Sequence, residues 1–232
     1  MTASVPKNPP PLEPGMDNPW YDYVPFPKRP KLTWPRNARV ASFVLLHLEY
    51  WELIPAEGGH RDPRFVGEFG SFVPDYRTWT QREYGNRVGI FRVLDVLDRY
   101  QIRAGVAVNA LAAERYPYLI EQFKKRKYEF IAHGHSANRM ITSKMSEAEE
   151  FAQMIIDHFD TVYREGSENG RVMCIALHPY MMGAPHRLKH LDRALAYIRK
   201  HKDAWVCTAE EILDWYVANG LAPYQQHLGK EA

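Results

Sequence analysis

Only two of the 232 residues are cysteine, too few for the disulfide framework that staples small secreted domains. Cys174 lies within an apolar run and Cys207 at the end of another, so both read as buried thiols. No apolar run approaches the ~20 residues needed to cross a bilayer. The first residues, Met1 to Lys7, lack the apolar centre of a secretory signal, so a cytoplasmic protein with no membrane partner is expected. Charge of one sign is also missing. Thirty basic residues stand against 28 acidic ones, a net charge of +2, which leaves no long basic stripe for a nucleic-acid partner. The one basic cluster, Lys124 to Lys127, closes an expected helix, where cations oppose the negative end of the helix dipole. Internal repeats and low-complexity tracts are absent.

What is present is one globular domain's worth of chain, given roughly 100–200 residues per domain. Residues 1–35 are rich in proline and aromatics and read as an extended arm, docked on its own domain or on a neighbouring subunit. Residues 36–219 form the domain and 220–232 a tail. Val40 to Leu46 is a buried strand ending in the polar cluster His47 to Trp51. A loop from Pro55 to Tyr84 follows, and then Val88, Phe91, Leu94 and Leu97 recur at helical spacing. Strands are expected over Arg103–Asn109, Tyr128–Ala132, Val172–Leu177 and Ala204–Cys207. Helices are expected over Tyr116–Lys125 and Arg187–His201. Another, with Phe151, Ile155, Phe159 and Val162 on one face, is opened by the capping box Ser146 to Glu149 and stopped by Gly166. Thr208 with Glu211 opens the last helix in the same way.

Alternating strands and helices predict an α/β fold with a parallel sheet, whose ligands bind outside the carboxyl ends of the strands. Glu49, Asn109, His133 with His135, and His178 all follow apolar strands and converge on that rim. A carboxylate at Glu49 can act as general base on a water, and an imidazole at His178 can protonate a leaving nitrogen. His133 and His135 can bind a metal or stabilise an oxyanion. Tyr180 is a candidate pocket wall, and Arg187 either holds a substrate carboxylate or pairs with a helix acid. Ser136 lacks the glycines of a nucleophile elbow. Cys174, in mid-strand, reads as a packing residue.

Glu49 after its strand, the run Glu129 to Gly134, and above all Leu177-His178-Pro179 through Pro185-His186-Arg187 resemble the polysaccharide deacetylase (NodB-homology) family, in particular its cytosolic allantoinase-like branch. The similarity runs from about Tyr21 to Tyr216. The resemblance implies a distorted (β/α) barrel and hydrolysis of an amide-type C–N bond. It aligns Glu49 with the family's base, His178 with its late histidine acid and His133 with its first metal histidine. Tyr50 stands where a metal-binding Asp is usual, and Ala137 where a second metal histidine is usual. That leaves His133 and His135 as the residues available to a divalent metal such as zinc. Between Glu150 and Phe151 the chain lacks further βα units that relatives carry, so the barrel is expected to be incomplete or rearranged.

The expectation is a hydrolase of non-peptide C–N bonds acting on a small nitrogenous compound or an N-acylated sugar, metal-independent or weakly metal-dependent. Glu49 activates water, His178 donates a proton, His133 orients the substrate, and His135, Asn109, Tyr180 and Arg187 line the pocket. The alternative is a binding protein that keeps the fold without the chemistry. The resemblance also points to a homo-oligomer, since family members often assemble.

Overall fold

The computed structural model describes residues 24–54, 74, 76–135 and 148–228. Strands and helices alternate: β1 (Val40–Leu48), α1 (Tyr76–Tyr84), a π turn (Gly85–Gly89), α2 (Ile90–Arg99), β2 (Gly105–Val108), α3 (Ala110–Arg115), α4 (Pro117–Lys125), β3 (Glu129–Ala132), α5 (Ala148–Glu165), β4 (Arg171–Leu177), α6 (Pro179–Met182), α7 (Pro185–Arg199), β5 (Ala204–Val206), α8 (Ala209–Asn219) and α9 (Leu221–His227). The strands form one parallel sheet in the order β3-β2-β1-β4, with β5 paired to the first residues of β1. The α/β class read from the sequence is therefore the one observed. Among the described residues no strand pairs with the outer side of β3 or β4, as in a (β/α) barrel short of strands.

The core is built on the sheet face carrying Val40, Val44, Leu46, Leu48, Val106, Met173, Ile175 and Leu177. These side chains pack with α2, α5 and α7. On α5, Ala148, Ala152, Ile155 and Phe159 keep one helical face buried. That helix is continuous across Glu150 and Phe151, so the join where further βα units were expected lies inside a regular helix with its apolar face in phase. Thr208 caps α8 as the sequence requires: its side chain accepts from Glu211 N (3.2 Å), and its own N–H donates to the Glu211 carboxylate (2.8 Å). The capping box proposed at Ser146 lies outside the described residues. So does Ala137.

Other expectations are corrected. Tyr76–Tyr84, read as loop, is helical; its polar and aromatic residues give no apolar period to detect. The stripe buried on the next helix is Ile90, Val93, Leu94 and Leu97, whereas Val88 is exposed. The π turn before α2 inserts an i→i+5 step, which rotates Val88 out of the phase that a regular helix would give it. No element is expected over 110–115, where α3 forms, and the segment after Asn219, expected as a tail, continues as α9. Cys174 is exposed, not packed.

The described part of the arm docks on its own domain. Trp34 is buried against Trp205 and Trp215, and its indole N–H donates to Arg171 O (2.7 Å). No helix among the described residues is long and apolar enough to cross a membrane.

Candidate active site

Side chains alternate across a strand, and that alternation assembles the site. His47 shares a face of β1 with Phe43 and Leu45. Register pairs Leu45 with Gly105 and Ala176, and Ala107 with Ile131. Continued past the strand ends, the same face receives Glu49, Asn109, His133 and His178. Four strand ends thus deliver polar groups to the side of the sheet opposite the core.

Glu49 is the centre of the cluster and is buried. Its Oε1 lies 3.4 Å from His133 Nε2, and its Oε2 lies 3.5 Å from His178 Nδ1. His47 stacks on His178, with ring centroids 4.4 Å apart, and meets His133 edge-on at 5.3 Å. Burial would raise the Glu49 carboxyl, but its interactions with His178, His47 and His133 outweigh that and hold it below its ordinary pKa. Glu49 is therefore an anion at neutral pH. His47 is driven the other way, down to about 4, by burial first and by the adjacent His178 next. It is a neutral imidazole.

Asn109 holds the frame rather than the pocket. Almost fully buried, it accepts from Tyr50 N (3.1 Å) and donates to His133 O, tying the ends of β1 and β3 across β2. From the helical side, Asn86 in the π turn donates to Glu49 O (2.8 Å). That turn approaches α6 closely. A Cβ at Gly85 would sit 2.5 Å from Tyr180 N, and one at Gly89 would sit 2.5 Å from Pro179 O, so glycine at both positions permits the contact.

The remaining sequence candidates separate. Tyr180 stands beside His178, with ring centroids 5.6 Å apart, and burial raises its pKa. His135 is exposed just beyond His133. Arg187, at the start of α7, donates to His186 (3.3 Å). Three residues of the site were missed in the sequence. His47 could have been found, because it lies two residues before Glu49 and so on the same strand face. Arg82 and Asn86 fell in or beside a segment read as loop and carried no signal.

A metal can be weighed on the donor set. His47, Glu49 and His133 each offer one ligand atom, all within 4.8 Å of one another. Two imidazoles and a carboxylate are a zinc-type set. His47 Nδ1 is buried without a hydrogen-bond partner, and so is His178 Nδ1. An orphaned nitrogen on a neutral ring is what a metal ligand looks like before its ion arrives, so these residues fit a divalent cation. The set differs from the pair expected from sequence in drawing His47 and Glu49, rather than His135, to His133.

No protein-family model matches the chain. A Schizosaccharomyces pombe protein named as a polysaccharide deacetylase is 33% identical over 66 residues, which are 28% of this chain and 21% of that protein. The match thus spans about a fifth of the curated relative's length. Among solved structures, Puue allantoinase superposes with a TM-score of 0.67 at 18% identity, over 82% of this chain and 94% of that one. A Pseudomonas aeruginosa PAO1 protein named as a polysaccharide deacetylase gives 0.67 at 19%, over 82% and 95%. One from Mycobacterium smegmatis gives 0.60 at 13%, over 81% and 93%. Likeness at such identities speaks for the fold alone, and this chain shares the fold of these solved structures.

Proposed function

We propose that the chain is a hydrolase of amide-type C–N bonds in a small nitrogenous compound or an N-acylated sugar. The observation that carries this reading is the Glu49 carboxylate, buried and ionised between the imidazoles of His133 and His178 at the carboxyl ends of parallel strands. The names of the fold relatives, deacetylases and an allantoinase, support it.

In the reaction a water oxygen adds to the carbonyl carbon and its proton passes to Glu49. A carboxylate held below its ordinary pKa does not keep that proton. Nδ1 of His178, 3.5 Å from Oε2 and without another partner, is positioned to receive it. His178 then protonates the leaving nitrogen as the C–N bond breaks, giving a carboxylic acid and an amine. His133, on the other carboxylate oxygen, orients the carbonyl. A divalent cation such as zinc held by His47, Glu49 and His133 would add Lewis acidity and a more acidic water.

The test is hydrolysis of N-acetylated sugars, ureides and cyclic amides by the purified protein, with and without zinc, beside Glu49→Ala and His178→Ala. Turnover lost in both folded variants supports the reading. No turnover of any substrate by the folded, zinc-supplied protein rejects it. A cytoplasmic location and a homo-oligomer remain part of the proposal, to be checked by fractionation and by sedimentation.

A further inference from the structure

Arg82 is 9% exposed, and its guanidinium is clamped between two aromatic rings. Its Cζ lies 4.3 Å from the Trp51 ring centroid and 3.5 Å from that of Tyr180. Trp51 is two residues beyond Glu49 and Tyr180 two beyond His178. The clamp is therefore the direct continuation of the two strand ends that carry the carboxylate and the proton donor.

The cation is unusually placed. Burial lowers its pKa, opposed by Tyr180 and by the charge of Glu49, but a guanidinium stays charged in proteins. Its Nε makes no hydrogen bond, and among the described residues no carboxylate pairs with it. The acid next to it in sequence, Glu83, is occupied by Arg87 at 2.8 Å and by the Tyr116 hydroxyl. A buried positive charge with a free N–H is costly unless an anion completes it. Both ring centroids lie within 4.3 Å of the Arg82 Cζ and the Tyr180 side chain also hydrogen-bonds the guanidinium, which leaves the Nε side of the fork without a partner. That side, with its parallel N–H groups, matches the two oxygens of a carboxylate.

Resting on the hydrolase reading for what the ligand is used for, we propose that Arg82 binds a carboxylate on the substrate, which makes the substrates N-acyl or ureido acids rather than neutral N-acylated sugars. Glu49 and His178 then act on the amide next to a carboxylate fixed in the Trp51–Tyr180 clamp. Specificity arises on α1, apart from the residues that move protons.

Calorimetric binding of N-acetylglycine and of its neutral analogue N-acetylglycinamide separates the possibilities without requiring turnover. The unaltered protein is expected to bind N-acetylglycine roughly 10- to 100-fold more tightly, the range of a charge-assisted hydrogen-bond pair. Arg82→Gln is expected to bring the ratio of the two affinities close to one, whatever the change in either affinity alone. Arg82→Lys keeps the charge without the fork and should retain part of the preference. Equal affinities in the unaltered protein, binding of neither probe, or a preference that survives in Arg82→Gln would overturn the proposal. Should Arg82→Gln fail to fold, the two probes on the unaltered protein and on Arg82→Lys still decide it. A protein that prefers the carboxylate but cleaves no amide refutes the hydrolase reading alone. One that cleaves neutral and anionic amides equally refutes the role of Arg82 alone.

Discussion

The two faces of β4 have the same chemistry and opposite surroundings. Met173, Ile175 and Leu177 are buried in the core beside α5. Alternating with them, Val172 is 47% exposed, and Cys174 and Ala176 are exposed too. Strands of a parallel sheet are ordinarily covered on both sides, which is why they read as unbroken apolar runs. Here one side carries stability. The other, facing the space that a closed barrel would fill, carries His178 at its end together with the rest of the histidine cluster. The division suggests that changes on one face should damage folding and changes on the other should damage chemistry.

The sharpest test is Glu49→Gln, which keeps shape and removes the charge. Hydrolysis is expected to fall by about 10²- to 10⁴-fold, the range of a lost acid–base group, while the unfolding midpoint in urea stays close to the parent's. A large loss of stability would place Glu49 among the structural residues and erase the distinction. On the core face, Leu177→Ala should cost about 2–5 kcal/mol in the same titration, through lost transfer energy and the cavity left behind. A cost under 1 kcal/mol would mean that this face is not the folded core.

His47 bears on the chemical face alone. His47→Ala is expected to weaken zinc binding by more than about 100-fold, beyond the ~10- to 100-fold loss typical of an outer-shell partner, as read by competition with a chromophoric chelator. Unchanged zinc affinity would remove His47 from the ligand set. Asn109 bears on both stability and chemistry, since it is buried at the rim and bonded to the backbone at Tyr50 and His133. Asn109→Ala leaves a buried donor and acceptor unpaired and should cost about 1–3 kcal/mol, with a parallel loss of activity from the displaced His133 loop.

Much of this division could be read from the sequence, and the parts that could not have definite reasons. Strand ends at Glu49, Asn109, His133 and His178 follow from apolar runs that stop at polar residues, and the Thr208 cap follows from the spacing of its partners. His47 was overlooked as part of a polar tip, although β1 continues through it to Leu48. Arg82 and Asn86 were invisible because α1 has no apolar stripe, and because glycines at 85 and 89 look like loop residues until the close approach to α6 is seen. The open side of β4 was illegible for a deeper reason. An apolar run specifies that a strand can be covered on both faces, and says nothing about which elements cover it.

The smallest expected effect tests that last point. Cys207 is buried with Trp34, Ala38 and Ala41, and burial with the nearby Glu211 pushes its thiol up to about 12. Cys207→Ser buries a hydroxyl among apolar groups and should cost about 1–3 kcal/mol. Cys174→Ser, on the open face, should change stability by no more than about 0.5 kcal/mol. Native protein should give Cys174 to a disulfide reagent before Cys207, which reacts only on unfolding, because the reagent needs access and Cys174 is exposed, although partial burial also raises its thiol pKa. If Cys174 resists labelling until the protein unfolds, and Cys174→Ser costs as much as Cys207→Ser, something covers that face of β4 in solution. The two sides of the strand would then be alike after all.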